Sequence, residues 1–173
     1  MDTSSEYAKP NINMLFEQEK RYNKATVSAL YKALANNGHK MEEEVMIASD
    51  LEWWFHGPQD CHYMMKMLTG EKSCNGKQFK FEPRIIEVVG AECVIVEGWE
   101  GVEAYWVHVW IVKEGVITQF REYFNTWLIV KDVKPQIQGG LIKATKLSKS
   151  PILWQSNPRD LAKRSLPGIM LAI

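Results

Sequence analysis

Two runs of β-forming residues, 102–113 and 116–130, are separated only by Glu114-Gly115. A two-residue connection of that composition commits its flanks to an antiparallel hairpin, because its twist matches that of the strands it joins. The same logic extends upstream. Cys93–Trp99 follows the turn Gly90-Ala-Glu92, which follows Ile85–Val89. Before them Phe79 and Phe81 alternate with Lys80 and Glu82, and Pro83 marks a bulge or an edge position. From Gln78 onward the spacing predicts four antiparallel strands.

The preceding segment has helical periodicity. Val27, Leu30, Tyr31 and Leu34 fall at i, i+3, i+4 and i+7, with Asn36-Asn-Gly38 as the stop. A second, poorer helical stretch covers Lys40 to Ala48, with Met41, Val45 and Ala48 on one side. Leu51–His56 is a short strand ended by Pro58. Asp60 is placed to cap a third helix that turns Cys61, Met64, Met65 and Leu68 inward and is closed by Gly70. The order is α-α-β-α-β-β-β-β, an α+β domain. Three helices packed on one face of a strongly bent antiparallel sheet make a cone whose open end is a hydrophobic pocket. Around this domain, 23–133, lie an arm over 1–22 expected to be mobile and an extension over 134–173.

Of 173 residues, 46% are apolar and 24% charged, as expected of one globular domain with appendages. Basic and acidic residues balance at 21 each, which does not suggest a nucleic-acid binder. The balance is uneven along the chain. Seven basic residues against Asp160 leave about +6 after Val133 and −6 before it, so the extension is expected to dock on its own domain. The competing expectation is attraction to an anionic membrane surface or a membrane-associated enzyme. Cys61, Cys74 and Cys93 are odd in number and contain no Cys-x-x-Cys pair. No disulfide framework, metal site or cofactor is expected, and a cytoplasmic location fits. No run approaches the roughly twenty apolar residues that cross a bilayer.

Candidate site residues come from three aromatic segments, Leu51–Gly57, Tyr105–Trp110 and Arg121–Asn125. Buried Trp and Tyr bring N–H and O–H groups that need partners, so such segments indicate a binding surface more than mere filling. Alternation places Trp106, His108 and Trp110 on one strand face, opposite Tyr105, Val107, Val109 and Ile111. On the next strand Gln119, Arg121, Tyr123 and Asn125 share a face, opposite Phe120, Glu122 and Phe124. Polar ligand recognition as a group falls to the first of these sets. Trp54 and His56 join the ligand-binding set, with either face of Leu51–His56 open to being inward. His108, Arg121 and Tyr123 are the catalytic trio if the chain turns anything over, His108 as acid or base and the other two at an oxyanion. A core histidine satisfied by its neighbours is the plainer reading of His108.

Asp50-Leu-Glu-Trp-Trp-Phe-His-Gly-Pro58, Trp106-Val-His-Val-Trp110, Gly115-Val-Ile-Thr-Gln-Phe-Arg-Glu-Tyr-Phe-Asn-Thr126 and Leu153-Trp-Gln-Ser with Pro167-Gly closely resemble the plant wound-induced protein 1 family. The resemblance spans about residues 23 to 173. The element order is similar to the nuclear transport factor 2-like fold of ketosteroid isomerases and SnoaL-like cyclases. That likeness implies a cone with a cavity and a homodimer paired through the outer sheet face. It also implies where acid–base carboxylates would stand, and Trp54 and Asn125 occupy those positions. The expected role is therefore binding of a small hydrophobic metabolite or non-catalytic help to enzymes of specialised metabolism. An isomerase or cyclase using His108 is the alternative.

Overall fold

A computed structural model describes residues 12–36, 45–71, 79–100, 104–124, 128–130, 152–155 and 169–172. The elements are α1 (Ile12–Ala35), β1 (Met46–His56), α2 (Tyr63–Leu68), β2 (Pro83–Val89), β3 (Cys93–Glu100), β4 (Ala104–Lys113), β5 (Val116–Phe124), β6 (Leu128–Val130), β7 (Ile152–Gln155) and β8 (Ile169–Ala172). The fold is α+β, built on an open, curved five-stranded sheet ordered β1-β5-β4-β3-β2. Every pairing in it is antiparallel except β1 with β5. A second sheet is ordered β6-β8-β7.

The hairpin expectation holds at its turn. Glu114 and Gly115 both have positive φ, 50° and 80°, the primed geometry in which a two-residue loop follows strand twist. The last main-sheet strand ends at Phe124, six residues before the sequence pattern runs out, because β6 belongs to the other sheet. Pro83 sits on an edge strand beside a ladder irregularity between Pro83 and Ile85, where its missing N–H costs nothing.

Helix α1 begins at Ile12, well before the apolar stripe starts, so residues 12–22 of the expected arm are helical. Its stripe is the predicted one. Val27 and Leu30 are fully buried and Tyr31 and Leu34 nearly so, each aliphatic side chain contributing on the order of 2 kcal/mol. Asn23 pins the helix to the ends of two strands, its Nδ2 donating to the Ala91 carbonyl at 3.0 Å and to the Val112 carbonyl at 3.5 Å. The second expected helix is corrected at its end. Met46, Ile47 and Ala48 belong to β1, which runs eleven residues, as β-branched and aromatic residues pair with β5.

The third expected helix exists as α2 with a different start. His62 is the residue before it and makes no side-chain cap, while Asp60 adopts φ +64° in the preceding turn. Gly70, at φ +70°, closes it as expected. Met64 is its one fully buried residue. The remainder of the 1–22 arm, residues 40–44, Cys74, Asn125 and most of the 134–173 extension lie outside the described residues.

One part of the extension is described. Trp154 on β7 is buried in a cluster with Cys93, Ile95, Val107 and Val109, on the sheet face away from α1, and its Nε1 donates to Glu87 Oε2 at 2.9 Å. The chain therefore covers the β2–β3 end of its own outer face.

Candidate functional site

Strand register decides which candidate residues meet. Between β4 and β5, Lys113 opposes Val116 and Val112 opposes Ile117, then a bulge intervenes and Ile111 opposes Gln119. Thr118 is the residue left over. Beyond it Trp110 faces Phe120, His108 faces Glu122 and Trp106 faces Phe124. Directly opposed residues project to the same side, so Trp106, His108 and Trp110 share the α1-covered face with Phe120, Glu122 and Phe124. The expected grouping of His108 with Arg121 and Tyr123 is thereby corrected. Those two face the other way, paired with Val109 and Val107.

β1 joins the same division. Trp54 opposes Arg121 and His56 opposes Tyr123, whereas Leu51 and Phe55 pack against the α1 core. The candidate set thus splits. On the outer face the Arg121 guanidinium lies 4.6 Å over the Trp54 ring, His56 stacks on Tyr123 at 5.0 Å, and Gln119 donates to Glu52 at 2.8 Å. Burial, then the Arg121 charge, pushes the His56 imidazolium down from its ordinary range. On the inner face stand Trp106, His108 and Trp110, all fully buried.

The inner face holds two groups that the sequence reading did not place there. Glu122 is fully buried, with Oε1 3.8 Å from His108 Nε2 and accepting the Met64 backbone N–H of α2 at 2.8 Å. Tyr31, from α1, has its hydroxyl 2.6 Å from His108 Nδ1 and accepts the Trp110 indole N–H at 3.1 Å. Each had a sequence signal. Glu122 alternates with Phe120 and Phe124, and a carboxylate flanked at i±2 by aromatics on one face is placed for burial. Tyr31 carries the only hydroxyl in the stripe Val27, Leu30, Tyr31, Leu34, and a buried hydroxyl needs a partner.

The hydrogen bonds fix a tautomer. Burial holds the Tyr31 phenol well above its ordinary value, so it keeps its proton. Trp110 already occupies an acceptor lone pair of Tyr31, so the phenol donates to Nδ1, and His108 carries its proton on Nε2, toward Glu122. At 3.8 Å that last contact is electrostatic and too long for a hydrogen bond. Burial lowers the His108 pKa from the ordinary 6.5, with Glu122 pulling partly back, so the ring is neutral at pH 7. Rings enclose it: Trp106 at 4.7 Å, Phe81 at 4.8 Å, Phe120 at 5.2 Å and Tyr31 at 6.0 Å.

Three polar atoms on this face have no hydrogen-bond partner among the described residues. They are Glu122 Oε2, an acceptor when ionised, and two donors, Trp106 Nε1 and the protonated His108 Nε2. A buried group in that condition costs about 1–3 kcal/mol. Among the described residues no group of three or more His, Cys, Asp or Glu is arranged to hold a metal ion.

Two expected outcomes follow from this wiring. Tyr31→Phe strands both the Trp110 N–H and His108 Nδ1 and should lower unfolding free energy by about 2 kcal/mol. Nitrogen NMR should then show His108 losing its fixed Nε2–H tautomer. An unchanged tautomer would contradict the assignment. The second outcome concerns pH. Native His108 binds fewer protons than the unfolded chain once pH falls below about 6.5, so stability is constant above that value and falls below it. His56 adds in the same direction. Urea midpoints should drop on acidification from about pH 6.5, before carboxylates titrate, and His108→Gln should flatten most of that slope.

Residues 65–173 match the family described as Wound-induced protein WI12. The chain is 36% identical to wound-induced protein 1 of Solanum tuberosum over 110 residues, which are 63% of this chain and all of that protein. It is 34% identical over 111 residues to senescence associated gene 20 of Arabidopsis thaliana, again 63% of this chain and all of the relative. The family match contains His108, Glu122, Trp106 and Arg121, and leaves out α1 with Tyr31 and all of β1.

Proposed function

We propose that this chain, which belongs to the wound-induced protein WI12 family, is a plant wound- and stress-associated protein that holds a small hydrophobic molecule against the inner sheet face. The observation that carries the reading is the set of buried, unsatisfied polar atoms, Glu122 Oε2, Trp106 Nε1 and His108 Nε2, in a wall of aromatic rings. Binding sites for small molecules are mostly apolar with a few convergent polar groups, and these atoms supply them. A helix laid on a curved sheet also fits the nuclear transport factor 2-like cone that the sequence resembles.

His108, Glu122, Trp106, Trp110 and Phe120 have essentially no accessible surface, so admission requires movement. The element placed to move is α2. It has six residues, one of them fully buried, and its Met64 N–H is tied to Glu122. The role is binding or non-catalytic help to enzymes. Self-association through the outer face belongs to the same proposal, at its Glu52–Trp54–Arg121 end because Trp154 covers the other end. A cytoplasmic location accords with the free thiols of Cys61 and Cys93.

A second reading has one observation in its favour. A carboxylate beside a neutral imidazole in a dry site is suited to moving a proton, and Glu122 supplies it from a position other than Trp54 or Asn125. One screen separates the readings. Thermal-shift titration against small apolar molecules bearing one polar group should find compounds that raise the melting temperature of the wild type and do less for Glu122→Gln. If the wild type chemically converts such a compound and Glu122→Gln does not, the chain is an enzyme. If no compound shifts the wild type, the binding proposal fails.

A further inference from the structure

Resting on the binding proposal, we infer that the inner site selects neutral molecules carrying a hydroxyl and, across the ring or chain from it, an acceptor oxygen, and that it rejects carboxylate anions of the same shape.

The hydroxyl belongs at Glu122. Its Oε1 is taken by the Met64 N–H, and Oε2 is unsatisfied and fully buried. A hydroxyl satisfies that oxygen whichever protonation state the carboxyl adopts, because it both donates and accepts. The acceptor oxygen belongs at Trp106 Nε1, a group that can only donate. His108 opposes Glu122, and Trp106 lies two residues along the same strand on the same face. The two anchoring points are thus separated by on the order of 7 Å at the backbone, about the spacing of para substituents on one aromatic ring.

Charge excludes the anions. The one basic group within 4 Å of the Glu122 carboxyl among the described residues is the His108 imidazole, at 3.8 Å, and it is neutral at pH 7. The arginine one residue away, Arg121, points to the outer face and lies on Trp54. On α2, the Lys66 ammonium turns back to the Asp60 carbonyl at 2.9 Å. An anion would bury its charge beside a carboxyl group with no cation among the described residues to meet it, an arrangement that low-dielectric surroundings penalise heavily. Had the unbulged register held, Arg121 would have faced inward beside His108 and the preference would have been reversed. The bulge at Thr118 therefore sets ligand charge as well as strand register.

The test uses matched probes of one shape. 4-Hydroxyacetophenone and 6-hydroxy-2-acetylnaphthalene are neutral, and 4-hydroxybenzoate and 6-hydroxy-2-naphthoate are their carboxylate counterparts. Each is titrated into the full chain while the Trp106 indole N–H resonance, assigned by its loss in Trp106→Phe, is followed by NMR. The expected result is at least about tenfold tighter binding of the neutral member of a pair, equivalent to about 1.4 kcal/mol. The Trp106 resonance should move as that member binds. Glu122→Gln should narrow the preference to about threefold or less. Equal or tighter binding of the carboxylates by the wild type would overturn this inference and leave the binding proposal standing. Failure of all four probes to move the resonance would overturn both. The wild-type comparison decides the matter even if Glu122→Gln does not fold.

Discussion

Deleting Thr118 and Gln119 together should abolish folding of the domain, although both side chains removed are polar and half-buried. Thr118 is the extra residue between the pairs Val112–Ile117 and Ile111–Gln119. Deleting it alone removes only the bulge and keeps His108 opposite Glu122, so that single deletion should fold, whereas deleting both residues brings Tyr123 opposite His108 and Arg121 opposite Trp110. A one-residue slip exchanges the two faces of everything beyond it. Phe120, Glu122 and Phe124 would leave the α1-covered core, and Arg121 and Tyr123 would enter it against the rings of Trp106 and Trp110. Burying the guanidinium there and exposing two phenylalanines costs more than the whole stability of a typical domain, about 5–15 kcal/mol. Circular dichroism and amide NMR of the double-deletion variant should show no cooperative unfolding. Thr118→Ala, which keeps the bulge and loses only the hydroxyl's 3.4 Å contact with the Ile111 carbonyl, should cost about 1 kcal/mol or less. If the double deletion folds with near-native stability, the register described here is wrong.

Gly98→Ala should be the most damaging single substitution in the sheet, at about 3 kcal/mol or more. Gly98 opposes Trp106 across β3 and β4, and the indole lies over the glycine. A Cβ at this position would stand 2.2 Å from Trp106 Cζ2 and 2.5 Å from the Glu82 carbonyl oxygen. Neither neighbour can yield cheaply. Trp106 is fully buried among Tyr31, Phe81 and His108, and the Glu82 oxygen is backbone. Gly70 is the contrasting position. Nothing lies within 4 Å of a Cβ there, and only its φ of +70° resists a side chain, so Gly70→Ala should cost about 1 kcal/mol. Urea unfolding of both variants, with near-ultraviolet circular dichroism to report the tryptophan, checks the contrast. Gly98→Ala no worse than Gly70→Ala would mean that the indole does not lie where the structure puts it.

The fold was legible where local chemistry decides it. The Glu114-Gly115 turn, the Gly90 turn, the stripe Val27–Leu30–Tyr31–Leu34 and the alternation in β4 each follow from residues a few positions apart. What escaped depends on contacts distant in sequence. Nothing local requires β1 to lie parallel to β5 at the sheet edge, and that pairing drew Met46–Ala48 from an expected helix into a strand. The site was half legible for a similar reason. Alternation correctly put Trp106, His108 and Trp110 together, because period two holds within a strand. Joining them to residues of β5 required knowing the bulge, and Thr118 carries no glycine or proline to announce it. Without the bulge, alternation sets Arg121 and Tyr123 beside His108 and Glu122 on the opposite face.

That exchange changes the chemistry of the inner face. With Arg121 inward the site would have been a cationic anion receptor, whereas with Glu122 inward it is a carboxyl group beside a neutral, tautomer-fixed imidazole. Outside, Arg121, Trp54, His56 and Tyr123 form a surface of their own, bounded by the buried Trp154.

The most direct test of an inner site that holds a hydrophobic molecule is native mass spectrometry of the chain purified gently from wounded plant tissue, alongside Glu122→Gln expressed and purified in the same way. The account predicts a co-purifying small molecule on the wild type that is lost on denaturation and is absent or much reduced on the variant. A wild-type chain that carries nothing, or a molecule retained equally by Glu122→Gln, would contradict it.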